Sequence, residues 1–89
     1  MKKIKSDERG TVYRADGFKI FYRKKGSISS DSKDNPHEVI YFIEGEAKVT
    51  EGSNSQIVCS PAKFEFPARK YHKIEALTDV TFLVFEKDD

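Results

Sequence analysis

The chain of 89 residues has no tryptophan, one cysteine, one methionine and three prolines. A lone Cys59 rules out an intrachain disulfide, which is compatible with a reducing compartment, and leaves no paired thiols for a zinc site. No apolar run approaches the roughly 20 residues that a membrane span needs, and no apolar stretch follows the early lysines as it would in a secretion signal. An excess of one charge is missing too. Sixteen Lys and Arg against fifteen Asp and Glu leave a formal net charge of +1, so no long-range field recruits nucleic acid or an anionic membrane. Arg23-Lys24-Lys25 and Lys2-Lys3 are short clusters that read as solvated strand ends. Phosphate-binding P-loops, dinucleotide-binding glycine patterns and serine nucleophile elbows are also absent. The expectation is a cytoplasmic protein without nucleic-acid or membrane partners.

What the chain does contain is strand signal. No window shows the apolar spacing of three and four residues that marks an amphipathic helix, whereas short runs rich in β-branched and aromatic residues alternate with turn residues. Strands are expected over Thr11 to Arg14, Phe18 to Lys24, Glu38 to Glu44, Ala47 to Thr50, Gln56 to Cys59, Lys63 to Phe66, His72 to Ala76 and Thr81 to Glu86. Gly17, Gly45-Glu46, Glu51-Gly52-Ser53-Asn54 and Thr78-Asp79 supply the turns. Ser27 to Pro36 is expected to be one long loop, either functional or poorly ordered. Residues 1–89 are read as a single all-β domain, near the lower size limit for folding on one core without disulfides or metal.

Alternation assigns faces to Glu38-Val39-Ile40-Tyr41-Phe42-Ile43-Glu44. If Glu38 points inward, Ile40 and Phe42 accompany it, and Val39, Tyr41 and Ile43 point out. Both faces are then apolar, as they are over Val80 to Phe85. A small barrel with a solvated exterior has a polar outer face, so this pattern implies a cover. Two covers are available: a second copy of the chain in a twofold homodimer, or the amino-terminal segment with Ile4 and Val12.

The run from Gly26 through Ser32, Asp34 and Glu38 to Gly45, followed by Pro61, Pro67, Arg69, His72 and Ala76, resembles in spacing the two sequence motifs of the cupin family. Two imidazoles of the first motif are replaced here by Ser32 and Asp34, and the second motif retains Pro67 and His72. The resemblance covers Gly26 to Ala76 and implies a jelly-roll barrel. It also implies Asp34, Glu38 and His72 as ligands of a divalent metal such as Mn, Fe or Zn, with Ser32 as a weak fourth. A set this rich in oxygen suits harder or borderline ions. Without a metal, a protonated His72 pairs with Glu38 or Asp34. His37 should point outward if Glu38 points inward. Arg69 stands where the family has a glycine with positive φ, an awkward place for arginine, and offers a guanidinium at the barrel mouth. Cys59, with no activating partner placed by sequence, reads as an inert buried residue.

Three functions remain open. The first is a non-catalytic binding or sensing barrel for a small organic molecule, with Arg69 and Tyr22 or Tyr41 as polar contacts and no cofactor. The second is a metal-dependent enzyme of the dioxygenase or isomerase type built on Asp34, Glu38 and His72. The third is a dimerising interaction domain whose barrel is filled by its own side chains.

Overall fold

In the computed structural model, which describes residues 1–87, the strands in chain order are β1 Lys2–Asp7, β2 Gly10–Ala15, β3 Phe18–Arg23, β4 Ile28–Ser32, β5 Glu38–Glu44, β6 Glu46–Glu51, β7 Asn54–Cys59, β8 Ala62–Phe66, β9 His72–Ala76 and β10 Val80–Glu86. No helix among the described residues is long and apolar enough to cross a membrane. The strands form a six-stranded sheet in the order β1-β2-β3-β10-β5-β8 and a four-stranded sheet in the order β4-β9-β6-β7. Every strand pairing among the described residues is antiparallel. The fold is an all-β jelly roll.

Two strands depart from the sequence expectation. β4 lies inside the stretch expected to be a loop, pairing with β9 through Ile28 to Glu75 and Ser29 to Ile74. Its composition, Ile-Ser-Ser-Asp-Ser, carries little apolar alternation, and Ser30 sits at a φ of 61° with a register shift after Asp31. β1 is fully exposed and lysine-rich, and it joins the sheet only at its edge, beside β2. Lysine on an edge strand discourages pairing with another chain, which explains a strand that propensity does not announce.

The chain passes from one sheet to the other at a shared corner. β3 to β4, β5 to β6, β7 to β8 and β9 to β10 all change sheets, and the registers Arg23 to Val80, Glu44 to Thr81, Glu46 to Cys59 and Ala47 to Ala76 put these changes at the same end. The tightest is β5 to β6, where Gly45 alone separates the strands. Its φ is 89°, and a Cβ there would lie 2.1 Å from the Asp79 carbonyl oxygen. Around this corner the Glu46 amide donates to Thr78 Oγ1 at 3.0 Å and the Leu77 amide to the Glu46 carbonyl at 2.9 Å. Only a residue without a side chain lets the two corners approach so closely.

The inner faces meet in one cluster containing Ile40, Phe42, Ala47, Val49, Val58, Phe66, Ile74, Ala76, Val80, Phe82 and Val84. Gly17, in the β2–β3 hairpin, also has positive φ (91°), but a Cβ there meets nothing within 4 Å. The two glycines therefore separate backbone strain from steric collision. Gly17→Ala should cost about 1 kcal/mol and Gly45→Ala roughly 3 kcal/mol in urea unfolding; equal costs would show that the approach to Asp79 contributes nothing.

Candidate functional site

The barrel interior is occupied by a continuous series of rings. Phe21 stacks on Phe82 with centroids 4.9 Å apart, Phe82 meets Phe42 at 5.5 Å, Phe42 meets Phe64 edge-on at 6.0 Å, Phe64 stacks on Phe66 at 5.7 Å, and Phe66 stacks on His72 at 4.2 Å. The series runs from the large sheet to β9 of the small one, and Phe42, Phe66, Phe82 and His72 are each less than 2% exposed. Each offset or edge-on pair adds about 0.5–1.5 kcal/mol beyond the burial of its area.

At the mouth end the series stops at a polar pair. Glu38 points inward with Ile40 and Phe42, as alternation requires, and its Oε1 lies 3.5 Å from Nε2 of the fully buried His72. The pair is close enough for attraction when the imidazole is protonated, yet it forms no hydrogen bond; Glu38 Oε1 and both ring nitrogens of His72 are buried without a partner.

Loops close over this pair. Asn35 Nδ2 donates to the carbonyls of Ser30 at 3.0 Å and Ser32 at 2.8 Å, the Arg69 amide donates to the Asn35 carbonyl at 2.9 Å, and the Lys87 amide donates to His37 at 2.8 Å. Tyr71 donates its hydroxyl to Asp31 Oδ1 at 2.6 Å, a bond that raises the phenol pKa.

The three residues that the motif spacing nominates as metal ligands are not gathered. Asp34 is exposed, and its amide donates to Ser32 Oγ at 3.0 Å. Among the described residues no group of three or more His, Cys, Asp or Glu side chains converges as a metal site. Glu38 and His72 alone are brought together, and two donors do not fit a resident transition metal held by three or four protein ligands.

The nominated small-molecule contacts are likewise dispersed. Tyr22 pairs with Thr81 and Tyr41 with Leu83 on the outer face of the large sheet, where they are 45% and 37% exposed, so neither reaches the interior. Arg69 is exposed on the β8–β9 loop with a φ of 58°. The backbone there keeps the left-handed turn that its position in the motif implies, with an arginine accepting the strain.

His37 does face outward, its Nε2 lying 2.7 Å from Glu65 Oε2, and this contact holds the Glu65 carboxyl below its usual range. Cys59 corrects the expectation of burial. Val58 is its inward neighbour, and Cys59 is exposed with Sγ 3.5 Å from Glu46 Oε2, a bond that pushes the thiol pKa up and the thiolate population down.

The outer face of the large sheet is itself aromatic. Phe18 stacks on Phe85 at 5.1 Å, Tyr41 meets Phe85 edge-on at 5.7 Å, Tyr13 meets Tyr22 edge-on at 5.8 Å, and Lys63 Nζ lies 5.8 Å from the Tyr41 ring centre. Ile43, at 52% exposed, extends it. The amino-terminal segment does not cover this face, because β1 extends the sheet sideways and Val12 is buried in register with Phe21 of the ring series.

Solved structures share this arrangement. A cupin 2 domain-containing protein from Halorhodospira halophila superposes with a TM-score of 0.73 at 16% identity, over 81% of this chain and 52% of that one. KdgF from Halomonas sp. superposes with a TM-score of 0.74 at 14% identity, over 100% and 89% of the two chains. The chain has the cupin fold. The capsular polysaccharide assembling protein CapF from Staphylococcus aureus is similar over the whole chain, with a TM-score of 0.78 at 14% identity, but only 30% of its own length is matched. Against this structure and three further solved structures of the same fold, the chain spans only between 30% and 65% of their length. No protein-family model and no curated protein matches the sequence.

Within this cupin fold, His72 is fully buried and stacked on Phe66, beside Glu38. Truncating the ring removes that stack and leaves a cavity, so His72→Ala should cost about 3 kcal/mol, and the combined replacement Glu38→Met with His72→Phe should recover most of that loss. Urea unfolding with excess zinc and with chelator should give the same cost for His72→Ala; a cost that appears only with zinc would assign the imidazole to a metal instead.

Proposed function

We propose that this cupin-fold chain is a non-catalytic interaction module whose barrel is filled by its own side chains and whose outer aromatic face docks a second copy of itself. The observation that carries this reading is the pairing of a filled interior with an uncovered exterior. A small-molecule site needs an open cavity, commonly 300 Å³ or more, whereas here seven large interior side chains, Phe42, Phe66, Phe82 and His72 among them, are less than 2% exposed. An enzyme on the motif positions needs convergent ligands, and Asp34 lies outside the barrel. The exterior of the large sheet has what an interface core requires: rigid aromatic side chains with few charges at the centre.

A second copy suits the face better than an unlike partner on two grounds. The rim mixes signs, with Lys63 and Lys87 on one side of Tyr41 and Glu44 beyond Ile43, so a twofold operation can set unlike charges opposite each other. Size agrees as well. Six strands at about 4.8 Å spacing, each about six residues at 3.3 Å per residue, make a face on the order of 550 Å² in projection. The accessible area of such a ridged face is larger, and a standard interface buries about 800 Å² per partner.

Sedimentation equilibrium should therefore find a dimer with a Kd at or below roughly 10 μM, about 7 kcal/mol of association free energy. Tyr41→Glu and Tyr22→Glu, both at exposed positions, should yield folded monomers with unchanged circular dichroism. A wild-type monomer at the highest soluble concentration would sink the self-docking reading.

A further inference from the structure

At the corner end of the barrel, opposite the mouth, Arg23 is buried to 6% exposure on the inner face of β3. Its guanidinium carbon lies 5.1 Å from the centre of the Phe21 ring, the first ring of the interior series. Nε and Nη1 are buried with no hydrogen-bond partner. Among the described residues no carboxylate forms an ion pair with it. The nearby acids are engaged elsewhere or stand apart: Asp7 holds Arg9 at 3.3 Å and Lys5 at 4.0 Å, Asp79 Oδ1 accepts the Lys25 amide at 2.9 Å, and Glu44, exposed in register with Thr81, lines the same recess but forms no ion pair with the guanidinium. Burial, and then the charge of Arg9, push the Arg23 pKa down, and Asp7 only partly opposes them. An arginine keeps its proton at any ordinary pH regardless, so the charge is present and lacks a counter-charge.

A recess of about 320 Å³ opens at this point, lined by Gly10, Arg23, Lys24, Glu44, Asp79 and Thr81 among others. Gly10 is opposite Arg23 in the β2–β3 register, and its backbone packs so closely that a Cβ would sit 1.8 Å from the Tyr22 carbonyl oxygen. No side chain therefore stands beside the guanidinium on that strand. The volume falls within the ~300–1,000 Å³ of small-ligand sites. A buried, protonated and unpaired guanidinium costs several kcal/mol unless a partner arrives, and the ring face of Phe21 returns only about 1–2 kcal/mol of that.

We propose that this recess is an anion-binding site in which the Arg23 guanidinium takes an oxygen pair of a carboxylate or a phosphate group. The planar fork of arginine matches both groups with two parallel N–H···O bonds. Lys24 at the rim adds a second positive charge, while Glu44 and Asp79 at the far rim disfavour a ligand of high total charge. The site therefore takes a small monoanion, or one anionic group at the end of a chain, and not a polyphosphate. It lies at the opposite end of the barrel from Glu38 and His72 and involves none of the motif positions.

The test uses the full chain with sodium phosphate and sodium acetate added separately, each against sodium chloride at matched ionic strength. The Arg23 Nε–H resonance is followed by NMR, and thermal unfolding is measured alongside. One or both anions should move the resonance saturably and raise the melting temperature beyond the chloride control. Acetate alone acting would identify a carboxylate ligand, and phosphate alone a phosphoryl one. Arg23→Met removes the unpaired charge, so it should melt no lower than wild type without anion and should lose the anion response. Arg23→Lys, a point charge without the fork, should bind about tenfold more weakly. A wild-type resonance unmoved by either anion would overturn the proposal, as would an Arg23→Met protein that still responds like wild type. If Arg23→Met does not fold, the wild-type titration decides alone.

Discussion

The aromatic series from Phe21 to His72 is the constraint on which the rest of the molecule depends. It joins the two sheets, sets their separation and occupies the space that a hollow barrel would offer to a ligand. A chain of 89 residues buries a modest fraction of its surface, so an open cavity would remove contacts that so small a core can hardly spare. Five successive ring contacts, from Phe21–Phe82 to Phe66–His72, resolve this by making the interior solid. On the proposed reading, binding therefore falls to the outer surface and the ends of the barrel.

The corner geometry follows from the same need. Strands that face each other across a ring-filled core must change sheets abruptly, and the β5–β6 change is made by Gly45 alone, its backbone pressed against Asp79. Loops at the mouth have the opposite task, closing over a polar pair, and do so with main-chain bonds such as Arg69 to Asn35 and Lys87 to His37. Outside, the six-stranded sheet keeps apolar rings on the face that no element of the described chain covers. A two-sided apolar strand is costly to leave half in water, and this is the physical motive for the self-association proposed above.

Much of this architecture was legible in the sequence, and the failures share a cause. Glu38–Glu44 and His72–Ala76 have the expected bounds, because dense β-branched and aromatic runs leave little else for the backbone to do. The inward set Glu38, Ile40 and Phe42 follows from alternation alone. β1 and β4 were not legible, since both are polar edge strands whose pairing comes from tertiary neighbours and not from propensity. The site was half legible. Motif spacing brings Glu38 and His72 into one interior, but it does not show that Asp34 is exposed on the loop before β5. Tyr22 and Tyr41 stand on the outer face of the large sheet, where alternation from Glu38 already placed Tyr41. Arg23 was obscured by its neighbours, because Arg23-Lys24-Lys25 resembles a solvated run. The signal lies two residues earlier: Arg23 shares a strand face with Phe21, next to the corner where β3 leaves the large sheet.

The two ends of the barrel treat buried charge differently, and that difference separates structure from opportunity. At the mouth, the Glu38 carboxyl and the His72 imidazole lie 3.5 Å apart, an acid beside a base, and the loops close over them. At the corner, Arg23 has a ring face and no carboxylate, while the acids that might have served it hold Arg9, Lys5 and the Lys25 amide. Shifting Arg23 to a solvated position would require a one-residue slip of β3, which would turn Phe21 out of the core with it. The ring series therefore keeps the unpaired cation where it is. A fold that is solid within thus keeps one interior charge unanswered, beside a recess large enough for what would answer it.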